Sequence, residues 1–179
     1  RRVLGVIRPT TEMIGEVSVS GAVGILATTG TVLSNSYAIE VAKFFPETKI
    51  YQQACPMWVP LVENNEIDNP GTEYFVSKSI GALLQKSADI DTLLLACTHY
   101  PLLLKTIEKY AGKDIEVVTQ GEIVANSLRS YLNRHPEIAS RCNTNGQTRF
   151  LTTDSTAKFD DASEIFLGER ISSEKITLQ

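Results

Sequence analysis

The sequence predicts an α/β fold in which a parallel sheet is flanked by helices, a Rossmann-like lobe. Short apolar runs of strand length alternate with longer segments of helical periodicity, and each run ends in small or polar residues. A strand–helix–strand unit returns the chain to the same end of the sheet, so this alternation favours parallel pairing. With 179 residues, 42% of them hydrophobic, the chain can bury a sizeable core.

The elements can be assigned in order. A strand or connector at 3–7 leads into a short helix near 8–12. A helix with Ser34 or Asn35 as its N-cap follows the first buried strand, and a long amphipathic helix begins at Pro70. Further helices are predicted from Pro101, over 121–132 and over 159–167. Buried strands are predicted at 23–27 and 93–96, and further strands at 49–53 and 115–118.

Composition and charge exclude several classes of partner. The formal net charge is -4, and no stretch concentrates Lys and Arg together with aromatic residues, so we expect no nucleic-acid partner. No apolar run reaches the roughly 18 residues of a membrane span, and no signal-peptide pattern opens the sequence. We therefore expect a cytoplasmic protein without a membrane partner.

The cysteines and histidines predict neither a disulfide nor a metal site. Three cysteines, Cys55, Cys97 and Cys142, are widely spaced, and an odd number cannot all pair. The two histidines form no cluster with ligand spacing, so no metal is expected. Cys142 and His135 have no chemically suggestive neighbours, and we assign them no function.

The stretch from Leu93 to Pro101 reads as a buried strand, a reactive turn and a helix start. Proline suits the first helical turn because its φ is fixed and its missing N–H would be unpaired there. The N–H groups of that turn favour a thiolate at Cys97 or a bound carboxylate, and His99 adds a donor that titrates near neutral pH. The alternative is an ordinary buried cysteine beside a structural histidine.

Polar residues follow three of the predicted strands. The turn from Thr28 to Thr31 follows the first, Cys55 the second, and Cys97 to His99 the third. Because the carboxyl ends of parallel strands share one edge, and ligands bind beyond that edge, these residues should converge on one crevice.

Three of these segments resemble the glutamate racemases, cofactor-independent enzymes that make D-glutamate for bacterial peptidoglycan. Residues 96–103, Ala-Cys-Thr-His-Tyr-Pro-Leu-Leu, resemble the family's second catalytic-cysteine segment. Residues 27–31 are similar to its Gly-Thr-x-Gly-Thr element, with Ala27 in place of the first glycine. Residues 55–63 resemble its Cys-Pro-x-Phe-Val-Pro-Leu-Val-Glu run, with Trp58 in place of the phenylalanine.

The resemblance implies an amino-acid racemase site with no cofactor and no metal. Cys97 would act as acid or base on one face of the substrate Cα, with His99 assisting it. Glu63 would lie near the active site, although it could equally be an ordinary residue of a helix start. The residues that would bind glutamate are Thr28, Thr31, Thr98 and His99.

The resemblance also implies two lobes. Residues 1–118 would form the second lobe, which carries one catalytic cysteine, and 119–179 would return to complete a first lobe that is mostly absent. The strand resembling the family's last one is at 148–154. The family's Asp-Ser-Gly and Ala-Cys-Asn-Thr segments do not occur here, so we expect part of a longer protein that is inactive alone. A homodimer is left open.

Two other interpretations compete with a racemase. One is a relative in the same superfamily that uses a single cysteine, such as a decarboxylase or isomerase. The other is a non-catalytic α/β module that binds a small molecule. The Thr-His-Tyr-Pro sequence after Cys97 favours the glutamate enzyme.

Overall fold

A computed structural model describes residues 4–178. The chain divides into two compact units, with the boundary between Tyr131 and Leu132. Among residues 4–178, every helix is too short or too polar to cross a lipid bilayer.

The first unit is built on a four-stranded parallel sheet. Its strands are β1 (Ala22–Ala27), β2 (Lys49–Ala54), β3 (Thr92–Leu95) and β4 (Glu116–Thr119), in the order β2-β1-β3-β4. Both central strands are fully buried, as their apolar sequences require. The predicted parallel sheet is thus confirmed. From β1 the chain moves to β2 on one side and then crosses over to β3 on the other side of β1, so the order in which strands are added reverses there.

Helices connect these strands. The helices α1 (Ile7–Thr11) and α2 (Ile14–Val17) precede β1, and α3 (Thr29–Ser34) and α4 (Ser36–Phe44) follow it. The helices α5 (Trp58–Glu63) and α6 (Pro70–Leu84) lead from β2 to β3. A 3-10 turn (Tyr100–Leu103) and α7 (Leu104–Ala111) lead to β4, and α8 (Gly121–Arg134) follows it.

Three local details differ from the predictions. The turn expected at Thr28 to Thr31 is the start of α3, because the Thr28 hydroxyl accepts the N–H of Thr31 and caps the helix. Asn35 does not cap α4 with its side chain; its φ of 53° provides the break between α3 and α4. Of the stretch predicted as a strand or connector, residues 4–6 form a connector and Ile7 already belongs to α1, while Val3 lies outside the described residues.

Each face of the sheet carries its own apolar layer. Leu93 and Leu95 contribute to the layer formed with α5, α6, the 3-10 turn and α7. Leu94 and Ala96 point to the opposite face and join the layer formed with α2 and α4. This alternation is the two-residue period of a strand, and it explains why the three consecutive residues Leu93, Leu94 and Leu95 are all apolar.

The second unit contains a small sheet of its own. The helix α9 (Pro136–Ala139) is followed by β5 (Phe150–Thr152), α10 (Thr156–Leu167) and β6 (Ser173–Lys175). The strands β5 and β6 are parallel. Ser155 caps α10, and Gly168 with φ 73° ends it, as the sequence predicts for glycine at that position. The sequence analysis missed the short polar strand β6.

Candidate functional site

The candidate site lies at the carboxyl ends of β1 and β3. These strands are neighbours, with Leu26 paired to Leu95, so Thr28 and Cys97 leave the sheet side by side. The helix α4 after β1 packs on one face of the sheet, and α7 after β3 packs on the other. Diverging connections of this kind leave a crevice at the edge, which is where open α/β sheets bind ligands.

The turn after β3 brings a thiol, a hydroxyl and an imidazole together. Cys97 is half-buried, and its Sγ lies 3.9 Å from His99 Nδ1. The Thr98 hydroxyl lies 3.3 Å from the same nitrogen. One ring nitrogen therefore faces both groups that the sequence analysis placed next to the substrate.

The other nitrogen of the His99 ring faces Glu63. Glu63 is the last residue of α5, and its Oε1 lies 3.2 Å from His99 Nε2. A carboxylate only accepts hydrogen bonds, so this contact places a proton on Nε2 and leaves Nδ1 of a neutral ring as an acceptor. The arrangement is a carboxylate, an imidazole and a thiol in line, and it can move a proton from the thiol to the ring.

The electrostatics of Cys97 differ from the simple expectation. The N–H groups of His99 and Tyr100 do favour the thiolate, as expected for a helix start. Burial outweighs them and raises the pKa of Cys97, and the negative charge of Glu63 raises it further. With a raised pKa, Cys97 stays protonated unless a base takes its proton. His99 Nδ1, at 3.9 Å from Sγ, is the base within reach.

The threonines after β1 form the other side of the crevice. The hydroxyls of Thr28 and Thr31 lie 3.0 Å apart, and both residues are half-buried. They lie at the entrance of α3, where backbone N–H groups also point outward. This pair can donate hydrogen bonds to a carboxylate or another polar group in the crevice.

Cys55 lies at the same edge but is part of the core. It is 1% exposed, and burial raises its pKa to about 12. Its backbone carbonyl accepts the hydroxyl of the fully buried Tyr100, which joins the segment after β2 to the 3-10 turn. These contacts indicate a structural role for Cys55. Cys142 is exposed and lies in the second unit.

Two polar residues at this edge were not predicted from the sequence. The helical periodicity of the sequence indicates only that Tyr37 belongs to the apolar face of α4, yet its hydroxyl accepts a hydrogen bond from Gln120 Nε2 at 2.8 Å. Gln120 directly follows β4, and a polar residue at the carboxyl end of a parallel strand was a signal that could have identified it. Among residues 4–178, no cluster of three or more His, Cys, Asp or Glu could hold a metal ion.

Known proteins with similar sequences and folds are glutamate racemases. No family model matches the chain. A glutamate racemase of Streptococcus mutans is 35% identical over 176 residues, which cover 98% of this chain and 66% of the relative. The chain therefore spans slightly less than two thirds of that protein's length.

Solved structures give the same result. The crystal structure of a glutamate racemase isoform from Bacillus anthracis matches with a TM-score of 0.88 and 34% identity, covering 98% of this chain and 65% of that one. A glutamate racemase from Francisella tularensis, solved in complex with D-glutamate, matches with a TM-score of 0.82 and 25% identity over 96% of this chain and 62% of that one.

The fold and these similarities place the chain among the α/β proteins related to amino-acid racemases. The similarity to the proteins from Streptococcus mutans and Bacillus anthracis covers 98% of the chain in each case. The chain belongs to the glutamate racemase family.

Proposed function

We propose that the protein to which this chain belongs interconverts L- and D-glutamate without a cofactor. The observation that carries the proposal is the line from Glu63 through His99 to Cys97, beside the threonines of α3 in the crevice. Inversion at Cα needs a base on one face of the carbon and an acid on the other, and a thiol can serve in either role.

Cys97 would act on one face of the substrate Cα. As the thiolate it takes the α-proton, and as the thiol it returns one. His99 Nδ1, at 3.9 Å from Sγ, would accept the thiol proton, and Glu63 at Nε2 would stabilise the imidazolium that forms. The raised pKa of Cys97 suits the acid half of this cycle, and the base half depends on His99.

The substrate would be held by the donors that surround the crevice. The carbanion intermediate is next to a carboxylate, so growing negative charge must be met by hydrogen-bond donors. Thr98 offers an exposed hydroxyl, and Thr28 and Thr31 offer two more across the crevice. We assign these three residues, together with His99, to glutamate binding.

The opposite face of Cα would be served by a second cysteine from outside this chain. Cys55 is a poor candidate because it is buried and emerges from the same sheet edge as Cys97. We further propose that residues 1–118 act as the second lobe of the protein and that 119–179 help to complete the first. On this basis the 179-residue chain alone does not racemise glutamate.

Deuterium wash-in at Cα tests the proposal in the full-length protein. Replacing Cys97 by Ser should slow racemisation by about 10²–10⁴-fold, the usual contribution of a general acid or base. The loss of exchange should differ between L- and D-glutamate, since each cysteine abstracts the proton of one enantiomer. Cys142→Ser is the matched control and should leave both rates unchanged.

Two results would contradict the proposal. Undiminished racemisation by the Cys97→Ser protein would remove Cys97 from the mechanism. Racemisation by the 179-residue chain alone would mean that a second thiol is dispensable, and the two-base mechanism would then have to be abandoned.

A further inference from the structure

The helix α3 carries one wall of the crevice, yet none of its residues is buried. It is six residues long, Leu33 is 80% exposed, and Val32 is half-buried against the apolar layer beneath. A helix this short has little stability of its own. The position of Thr31, and of the Thr28 hydroxyl that caps the helix, therefore depends on what holds the two ends of α3.

The two ends of α3 are held in different ways. At the first end, Thr28 directly follows the buried strand β1, and its hydroxyl accepts the N–H of Thr31. The second end stops at Asn35, whose φ of 53° separates α3 from α4. Asparagine tolerates this left-handed backbone better than most residues, but the turn alone does not fix where the end of the helix lies.

Gln52 of β2 holds this second end. Its Nε2 donates to Asn35 Oδ1 at 2.6 Å. Gln52 is paired with Ile25 of β1, so its backbone is a fixed part of the sheet. Ile50 packs against the apolar layer formed with α4, and the two-residue period of a strand places Gln52 on the same face. The hydrogen bond therefore joins the end of α3 to the sheet from which Thr28 emerges.

The side chain of Gln52 has no competing partner among residues 4–178. Its Oε1 is buried and receives no hydrogen bond there. Lys86 Nζ, at 2.5 Å, donates to the backbone carbonyl of Gln52 and not to the side chain. A half-buried amide that lost Asn35 as well would have no protein partner in this region, and such a loss is costly. We therefore expect the contact between Gln52 and Asn35 to persist.

We propose that Asn35 and Gln52 are positioning residues for glutamate binding, because their hydrogen bond holds α3 with the hydroxyls of Thr28 and Thr31 towards the crevice. The inference rests on the proposed function, which assigns these threonines to the substrate. Thr31 lies about one helical turn before Asn35, so a shift of that end displaces Thr31 more than Thr28, which the strand holds. Asn35 and Gln52 act through α3 and do not contact the substrate themselves.

Steady-state racemisation of L- and D-glutamate by the full-length protein tests the proposal. Gln52→Met removes the amide at similar length, and Asn35→Gly removes Oδ1 but keeps the left-handed backbone accessible. Loss of this hydrogen bond should raise the KM for glutamate about three- to tenfold. The kcat should change by less than about twofold, because the threonines bind glutamate before its proton moves. The pH midpoint of Cys97 alkylation by iodoacetamide, followed by peptide mass spectrometry, should not move.

Three further variants separate this role from a general loss of stability. Asn35→Asp keeps an acceptor for Gln52 and should have the KM of the parent. Gln53→Met changes the neighbouring glutamine, which lies on the other face of β2 and bonds the carbonyl of Ala54 at 3.0 Å, and it should also leave KM unchanged. The double variant with Asn35→Gly and Gln52→Met should have a KM no higher than the worse single variant, since both changes remove the same bond.

An unchanged KM in Gln52→Met, or effects that multiply in the double variant, overturns the inference. If Gln52→Met does not fold, Asn35→Gly decides by the same criterion. Hydrogen exchange of the peptide that contains residues 29–34 adds a readout without turnover: it should be faster in both variants, and unchanged exchange contradicts the inference. A parent protein that does not racemise glutamate would contradict the proposed function, while faster exchange in the variants would still support the role of the pair in holding α3.

Discussion

Glu63 and His99 are 36 residues apart in the chain and 3.2 Å apart in space. The first ends α5 after β2, and the second follows β3, so their contact crosses the end of β1, which separates those strands. The hydrogen bond to Glu63 holds the His99 imidazole in a defined orientation. The contact makes the carboxylate a part of the thiol's environment, and this has a measurable consequence.

Replacing Glu63 by Gln should lower the pH midpoint of Cys97 alkylation. The Glu63 charge raises the pKa of Cys97, so its removal makes the thiolate easier to form. The side chain is 57% exposed, and screening by water should limit the shift to a fraction of a unit. Racemisation in the full-length protein should nevertheless fall, because a neutral amide does not stabilise the imidazolium of His99 as the carboxylate does. Glu73→Gln, at the ion pair with Lys109, is the control; a raised midpoint would contradict the argument.

The two thiols at the sheet edge should differ strongly in reactivity. In a Cys142→Ser background, Cys97 should be alkylated at least about tenfold faster than Cys55 at neutral pH, since only a thiolate reacts and burial holds the pKa of Cys55 at about 12. Cys55 is also 1% exposed. The measurement is the labelling rate of each peptide under native conditions, and equal rates would show that the core around Cys55 opens readily.

Replacing either of two glycines by alanine should change the free energy of unfolding, with opposite signs at the two positions. A Cβ on Gly24 in β1 would lie 2.7 Å from Leu93 Cδ2 and 2.8 Å from Leu83 Cδ2, so Gly24→Ala should cost about 1–3 kcal/mol of unfolding free energy. Gly81 in α6 has open space at that position, and Gly81→Ala should stabilise by about 0.5–1 kcal/mol. Urea denaturation measures both. A neutral Gly24→Ala would mean that the leucines repack at no cost.

Asp91 should make stability depend on acid pH. Burial opposes ionisation, but hydrogen bonds from Ser18, the Ser20 N–H and Thr92 outweigh it and lower the pKa of Asp91 to about 2. This value is below that of an unfolded aspartate, about 3.9. The stabilisation is therefore complete above about pH 4 and is lost as the pH falls towards 2.

The Asp91→Asn variant isolates this effect. At neutral pH it should be less stable than the parent by roughly 1–2 kcal/mol after allowance for screening, and the difference should shrink between pH 4 and 2. Asp89→Asn, at an exposed neighbouring position, should show neither effect. If the difference in stability between Asp91→Asn and the parent stays constant with pH, the variant is destabilised by altered packing and not by the loss of the Asp91 charge.

The sheet and its reactive edge could be predicted because apolar strands and the residues that end them are local signals. The apolar run at 93–96 and the turn after it were recognisable without any knowledge of the neighbouring strands, and the strand lies at Thr92–Leu95. The strand order and the contact of Glu63 with His99 could not be derived, because both depend on where distant segments pack. The alternatives for Glu63 therefore stayed open until its distance to the ring was known.

Two further features of the structure were not predicted from the sequence: the helix α3 and the hydrogen bond between Tyr37 and Gln120. Thr29 and Thr31 have weak helix preference, and α3 forms because the hydroxyl of Thr28 caps it. Tyr37 fits an apolar helical face equally well whether or not its hydroxyl has a partner, so its bond to Gln120, 83 residues away, was not visible in the periodicity.

The helices that follow β1 and β3 pack on opposite faces of the sheet, and this arrangement also affects how the protein can evolve. The opening between them is set by the direction of the backbone connections, while the apolar layers that stabilise the lobe lie beneath it. Substitution of the exposed Thr98 changes the chemistry offered to a ligand without removing a buried contact, whereas a substitution at position 28 must also keep the cap of α3. A protein with this connectivity can therefore change its substrate through a few substitutions at the crevice, while the residues of its core stay the same.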